Sequence, residues 1–222
     1  MIIKTYSYRF AKEILQHKNY RFVYDELIKI CEKCPIPKYS GKSKSQKKKD
    51  ILQQMMNTYF KEAFLKAGWE KEPYATPEQF EDSLRADFRK TFINTNDEKI
   101  SITLQIEVEF GNVASSYRNY FKFQLSFANE MIDVGILIVP SYHLANRIDS
   151  GVANFEKVIR EIPSAKLSVT VPILVIGLYE EQDQEWDMKE EGYSLDVLKK
   201  SGSKYVQQRK EIIREYIDGI NG

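Results

Sequence analysis

Two apolar runs, IDVGILIVP at residues 132–140 and VPILVIGL at 171–178, constrain this chain more than any other feature. Each is short and almost free of polar residues, which is the pattern of a strand buried on both faces. Residues 141 to about 161 between them have a helical pattern. Two buried strands separated by a helix form a βαβ crossover with parallel pairing, so the expected fold class is α/β. Both runs are far short of the roughly 20 apolar residues that span a bilayer.

A third segment differs in kind. In ISITLQIEVEF, residues 100–110, Ile100, Ile102, Leu104, Ile106, Val108 and Phe110 alternate with Ser101, Thr103, Gln105, Glu107 and Glu109, the period of a half-solvated strand. With ADFRKTF (86–92) and the turn-rich INTND between them, it predicts a hairpin. The sheet is therefore expected to be mixed and flanked by helices. Because strand side chains alternate faces, Glu107 and Glu109 project from one side, their Cα atoms roughly 6 to 7 Å apart. Pairing of the two strands would bring Asp87 towards Glu107.

The remaining elements are expected around this sheet. Amphipathic segments at about 8–17 and 19–33 predict a helical opening, followed by the turn CPIPK. Asp50 is positioned to cap a helix carrying Ile51, Met55, Tyr59, Phe60 and Phe64 and stopping at Gly68. Thr76, Pro77 and Gln79 resemble a capping box opening a short helix through Phe80 and Leu84. Residues 115 to about 130 predict a helix rich in aromatics, a surface too wide for one small core, which suggests a subunit contact or full burial. A last, mostly polar helix over about 203–218 is expected to be peripheral. Residues 1–222 thus read as one domain with a helical N-terminal part, about 1–68.

Composition narrows the function. With 42% hydrophobic and 29% charged residues the chain is of ordinary globular type, and MIIKTYSYRF has no apolar signal segment, so a cytoplasmic location is expected. Cys31 and Cys34 form a CEKC pair, but without a second pair, and with only His17 and His143 elsewhere, they support neither a zinc site nor a disulfide framework. The net charge of +1 conceals a basic stretch, KYSGKSKSQKKKD at 38–50, and an acidic one at 180–192. The basic stretch suits either phosphate tracking or plain solvation. GKS at 41–43 lacks the preceding glycine and strand of a phosphate-binding loop.

Asp87, Glu107 and Glu109 would form a hard, oxygen-rich site. Such donors favour magnesium, with manganese able to substitute, and an ion of that kind activates water against a phosphodiester. Glycoside hydrolysis by two carboxylates about 5 to 9.5 Å apart is the competing chemistry, with Trp69 and Trp186 as sugar platforms.

The order IEVEFGNVASSYRN, then MIDVGILIVPSYHLA, then SGVANFE resembles the BamHI, BglII and BstYI group of type II restriction endonucleases, over roughly residues 60–180. The resemblance implies a restriction-endonuclease-like core of PD-(D/E)xK type and magnesium-dependent cleavage of double-stranded DNA. It implies Asp87 and Glu107 as metal ligands and Glu109, where a lysine is usual, as general base. Glu98 is the rival of Asp87. Glu70 corresponds to a further acidic position, for which Glu72 is the rival.

Asn112, Ser115 and Arg118 match positions that read bases, and an arginine can bind guanine in bidentate fashion. Asn112 also suits an ordinary helix cap and Arg118 a surface ion pair. Asp149, Ser150 and Gly151 are candidates for the outer base pair, and with Ala114 they depart from the GGATCC pattern towards RGATCY. A palindrome containing GATC, 5′ overhangs, a homodimer joined through the aromatic helix and a cognate methyltransferase are further implications of the resemblance. A DNA-binding protein with the same core and no cleavage is the alternative from another class.

Overall fold

The two apolar runs form adjacent parallel strands, β6 (Val134–Pro140) and β7 (Ile173–Tyr179), with Gly135 opposite Ile173 and Pro140 opposite Leu178. In this computed structural model residues 1–78, 80–94, 97–165 and 168–220 are described, without the side chains of 97–99, 115 and 182. β4 (Phe88–Asn94) and β5 (Asp97–Val108) make the expected antiparallel hairpin, and β5 runs parallel to β6. The sheet is completed by β1 (Ile2–Tyr8), antiparallel to β7, and the short β3 (Glu70–Lys71), giving the order β1-β7-β6-β5-β4-β3.

Both faces are covered, as parallel strands require. On one side lie α1 (Ala11–Gln16), α2 (Arg21–Glu32) and α3 (Gln53–Lys66), whose Leu15, Leu27, Met55, Phe60 and Phe64 join Phe88, Leu104 and Ile106 in one apolar cluster. On the other lie α4 (Val113–Ala128) and α6 (Phe155–Glu161), whose Phe123 and Phe155 meet Leu137, Val139, Ile173 and Val175. The fit there is close: a Cβ on Gly135 would stand 2.8 Å from the Phe123 ring, and one on Gly177 2.6 Å from Phe155. The predicted helix after β6 is broken into α5 (Tyr142–Ile148) and α6 by a turn at 149–154, with Ser141 and Asn154 capping them.

A second small sheet pairs β2 (Ile36–Lys38) with β8 (Glu185–Asp187) in parallel. The chain closes with α7 (Leu195–Lys199) and α8 (Ser203–Gly219), the latter burying Ile213 and Ile217. No helix among the described residues is long and apolar enough to cross a membrane.

Three local expectations are corrected. The opening is a strand before it is helical, because Ile2–Tyr8 finds an edge of the sheet to pair with. Asp50 does not cap α3: Leu52 holds that position, and the Asp50 carboxylate is taken by Arg147 in a two-pronged ion pair, both contacts 2.9 Å. Residues 76–78 and 80–84 form no helix. Thr76 Oγ1 donates to the Glu78 carbonyl, the Phe80 N–H donates to Ser83 Oγ, and Tyr74 bridges to Arg85, so the segment's polar groups are spent on a loop; Gln79 lies outside the described residues.

Candidate active site

The hairpin register fixes the site. β4 pairs Arg89 with Gln105 and Phe88 with Ile106, while β3 pairs Glu70 with Arg89 and Lys71 with Phe88. One step further on, the Glu72 N–H donates to the Asp87 carbonyl at 3.0 Å, so Glu72, Asp87 and Glu107 form a row across three strands. Asp87 is anchored where its strand begins, its Oδ2 accepting from the Val108 N–H at 2.7 Å.

Glu107 and Glu109 project towards α4 from the end of β5, as the alternation predicts. Glu107 is fully buried. Its Oε1 accepts from Gln105 Nε2 at 3.2 Å, and its Oε2 is ion-paired with Lys122 Nζ from α4. Glu109 folds back so that Oε1 accepts from the Gly111 N–H at 2.7 Å while Oε2 accepts from Asn119 Nδ2 at 3.0 Å. Gly111 permits this fold-back, since a Cβ there would stand 2.7 Å from that same Oε1. Arg89 extends the network, its Nη2 donating to Gln105 Oε1 at 3.1 Å and to Ser126 Oγ at 3.3 Å.

Burial is the main influence on all three carboxyls and raises each of them from its ordinary value. Glu107 is pushed up to about 8, by burial first and the neighbouring Asp87 charge second, with Lys122 acting against both. Three carboxylates against one ammonium leave a formal excess of two negative charges when all are ionised. An oxygen donor set with that excess charge suits a hard divalent cation in kind, and among the described residues no group of three acidic, histidine or cysteine side chains is gathered closely enough to hold one as it stands. Asp87 also lines an open cleft of about 230 Å³ with Asn57, Lys61, Lys71 and Glu72.

The rivals separate on geometry. Glu72 adjoins Asp87, held in the left-handed region (φ 54°) and paired with Lys71 at 2.6 Å. Glu70 stands one row back, exposed and opposite Arg89, and does not line the Asp87 cleft. Glu98 lies nine residues along β5 from Glu107, about 30 Å at the rise of a strand, and its side chain lies outside the described residues. Trp69 is buried with Nε1 on Glu26, and Trp186 is half-buried and stacked on Tyr216; neither lines the cleft at Asp87.

The DNA-reading candidates gather at one end of the sheet. Asn112 caps α4, its Oδ1 accepting from the Ala114 N–H at 3.0 Å, and Arg118 is exposed on that helix. The turn carrying Asp149 and Ser150 is stitched beside it: the Val113 N–H donates to the Gly151 carbonyl, and the Ala153 N–H to that of Gly111, both at 3.0 Å. The side chain of Ser115 lies outside the described residues.

Asn119 and Lys122 are site residues that the strand pattern does not reveal. The signal was a polar stripe, Ser116, Asn119, Lys122 and Ser126, at helical spacing inside an otherwise aromatic segment; all four are buried.

A family model described as restriction endonuclease BglII/BglIII matches residues 3–178. The fold is similar to the crystal structure of restriction endonuclease BglII complexed with a DNA 16-mer, at a TM-score of 0.63 and 20% identity, covering 82% of this chain and 78% of the other. Free BglII gives a TM-score of 0.55 at 19% identity, covering 82% and 81%. No curated protein matches the sequence.

Proposed function

The chain belongs to the restriction endonuclease BglII/BglIII family and is a type II site-specific deoxyribonuclease; from that premise we propose a magnesium-dependent enzyme that cuts both strands of a short palindrome containing GATC, as a homodimer leaving 5′ overhangs. The observation that carries the metal dependence is the row Glu72–Asp87–Glu107 with Glu109 beside it, four carboxylates against the two ammonium groups of Lys71 and Lys122.

Asp87 and Glu107 are the residues to hold the cation, with Glu72 assisting from the cleft in place of Glu70. Bound there, magnesium would polarise a scissile phosphate and lower the pKa of a water. Glu109 suits the role of base: burial raises its affinity for a proton, and the Gly111 and Asn119 donors fix its orientation while leaving it lone pairs to accept one. Lys122 holds the second oxygen of Glu107 and keeps that carboxylate in place. Asn112, Arg118, Asp149 and Ser150 would face base edges, with RGATCY favoured over GGATCC alone.

A palindrome is read by two copies related by a two-fold axis. Tyr117 and Phe121, 51% and 59% exposed, lie one turn apart on the outer side of α4 and offer the apolar contact. A methyltransferase of the same specificity would protect the host's own sites.

Digestion of unmethylated DNA with and without magnesium, with sequencing of the fragment ends, tests the reading. Discrete ends within one palindrome, seen only with the ion, are expected. Intact DNA under magnesium and manganese alike would reject cleavage and leave the non-cleaving DNA-binding alternative.

A further inference from the structure

The basic stretch carries six lysines between residues 38 and 49, and they are not equivalent. Lys38 is paired with Glu185 at 2.9 Å, and Lys44, Lys47 and Lys48 are exposed. Lys42 turns inward instead: its Nζ donates to the Ile51 carbonyl at 2.5 Å and to the Ile148 carbonyl at 2.8 Å.

Ile148 is the last residue of α5, so its carbonyl has no partner within the helix, and an ammonium is a natural one. Asp149 follows directly, with Oδ1 accepting from the Ser150 N–H at 2.7 Å. Gly151, at φ 74°, reverses the chain, and its carbonyl accepts from Val113. The turn is thus held on one side by the start of α4 and on the other by Lys42. A second tie runs in parallel, because the Ile51 N–H donates to the Arg147 carbonyl at 3.2 Å and Arg147 grips Asp50.

We infer that Lys42 is a positioning residue for sequence discrimination: by joining the base of the basic loop to the Ile148 carbonyl, it sets where Asp149 and Ser150 meet the outer base pair. The inference rests on the reading above that this turn faces DNA. Two of the three N–H donors of Lys42 are engaged by carbonyls, so phosphate contact belongs to the exposed lysines further along. A loop of this kind divides its labour, with Lys42 acting on specificity and its neighbours on charge.

The test is equilibrium binding in calcium to a duplex carrying the palindrome that the wild-type protein cuts, and to duplexes with its outer base pair changed, over a range of salt. For Lys42→Met the ratio of the two affinities should fall about tenfold or more, about the 1 to 3 kcal/mol of one base contact, with the salt slope unchanged. For Lys44→Ala/Lys47→Ala the slope should flatten by about 0.9 per lost phosphate contact, with the ratio unchanged. In the free protein, amide exchange at residues 150–153 should quicken in Lys42→Met alone. A flattened slope for Lys42→Met, or an unchanged ratio, overturns the inference; if that variant does not fold, Lys42→Gln carries the same expectations. A wild-type protein that cuts no palindrome overturns the underlying reading instead, and is recognised before any variant is made.

Discussion

Lys122, from the middle of α4, forms its ion pair with Glu107, from the end of β5, where almost no solvent reaches either side chain. An ammonium is costly to bury, and this one stands beside three carboxyls whose affinity for protons is raised. Lys122→Met should therefore lower single-turnover cleavage about 100-fold or more while DNA affinity in calcium stays near wild type. Equal cleavage by the variant would remove Lys122 from the site.

Glu107→Gln keeps the shape of the side chain and removes its charge. Cleavage should be lost and DNA binding kept, and the melting temperature should be no lower than wild type, because the folded environment disfavours the ionised form. Scanning calorimetry beside a cleavage assay checks both halves, and wild-type-like cutting would take Glu107 out of the reaction.

Gly111→Ala inserts a methyl group where the Glu109 carboxylate folds back onto the backbone. The obstructed atom is the end of a flexible side chain, so the fold should survive with a melting temperature near wild type. Cleavage should fall about 100-fold, since a base displaced by even about 1 Å loses much of its rate. A variant that unfolds, or that cuts normally, would contradict this placement of Glu109.

Lys42 gives a pH dependence with a defined sign. Burial lowers it from 10.5 to about 8 in the folded chain, so between those values the unfolded chain binds more protons and its contribution to stability rises with pH. Below about pH 8 the burden of burying the charge is present in full. Melting temperatures of wild type and Lys42→Met should therefore shift relative to each other in favour of wild type between pH 8 and 10.5, and parallel curves would refute the assignment.

Phe121→Asp places a charge on the exposed side of α4 without touching Asn119 or Lys122. Sedimentation should find monomer for the variant and dimer for the wild-type chain, and a variant dimer of equal affinity would move the two-fold contact elsewhere.

The hairpin, the parallel pair β6–β7 and the shared face of Glu107 and Glu109 were legible because each follows from a period of two or an unbroken apolar run within one segment. Asp87 was legible through the pairing that the hairpin implied. β1 was not, since MIIKTYSYRF becomes a strand only by finding β7, some 170 residues away. Lys122 was hidden for a related reason: within YRNYFKFQ it reads as a solvated lysine, and its burial is decided by how α4 lies on the sheet. Asp50 suited a cap by local rules, and Arg147 outcompeted that role from a distance.

The close seat of Phe123 over Gly135 ties the hydrophobic layer to the acidic residues. The helix that lays Phe123 on β6 also carries Asn119 to Glu109 and Lys122 to Glu107. The depth at which one aromatic ring sits and the orientation of two carboxylates are therefore set by a single packing contact.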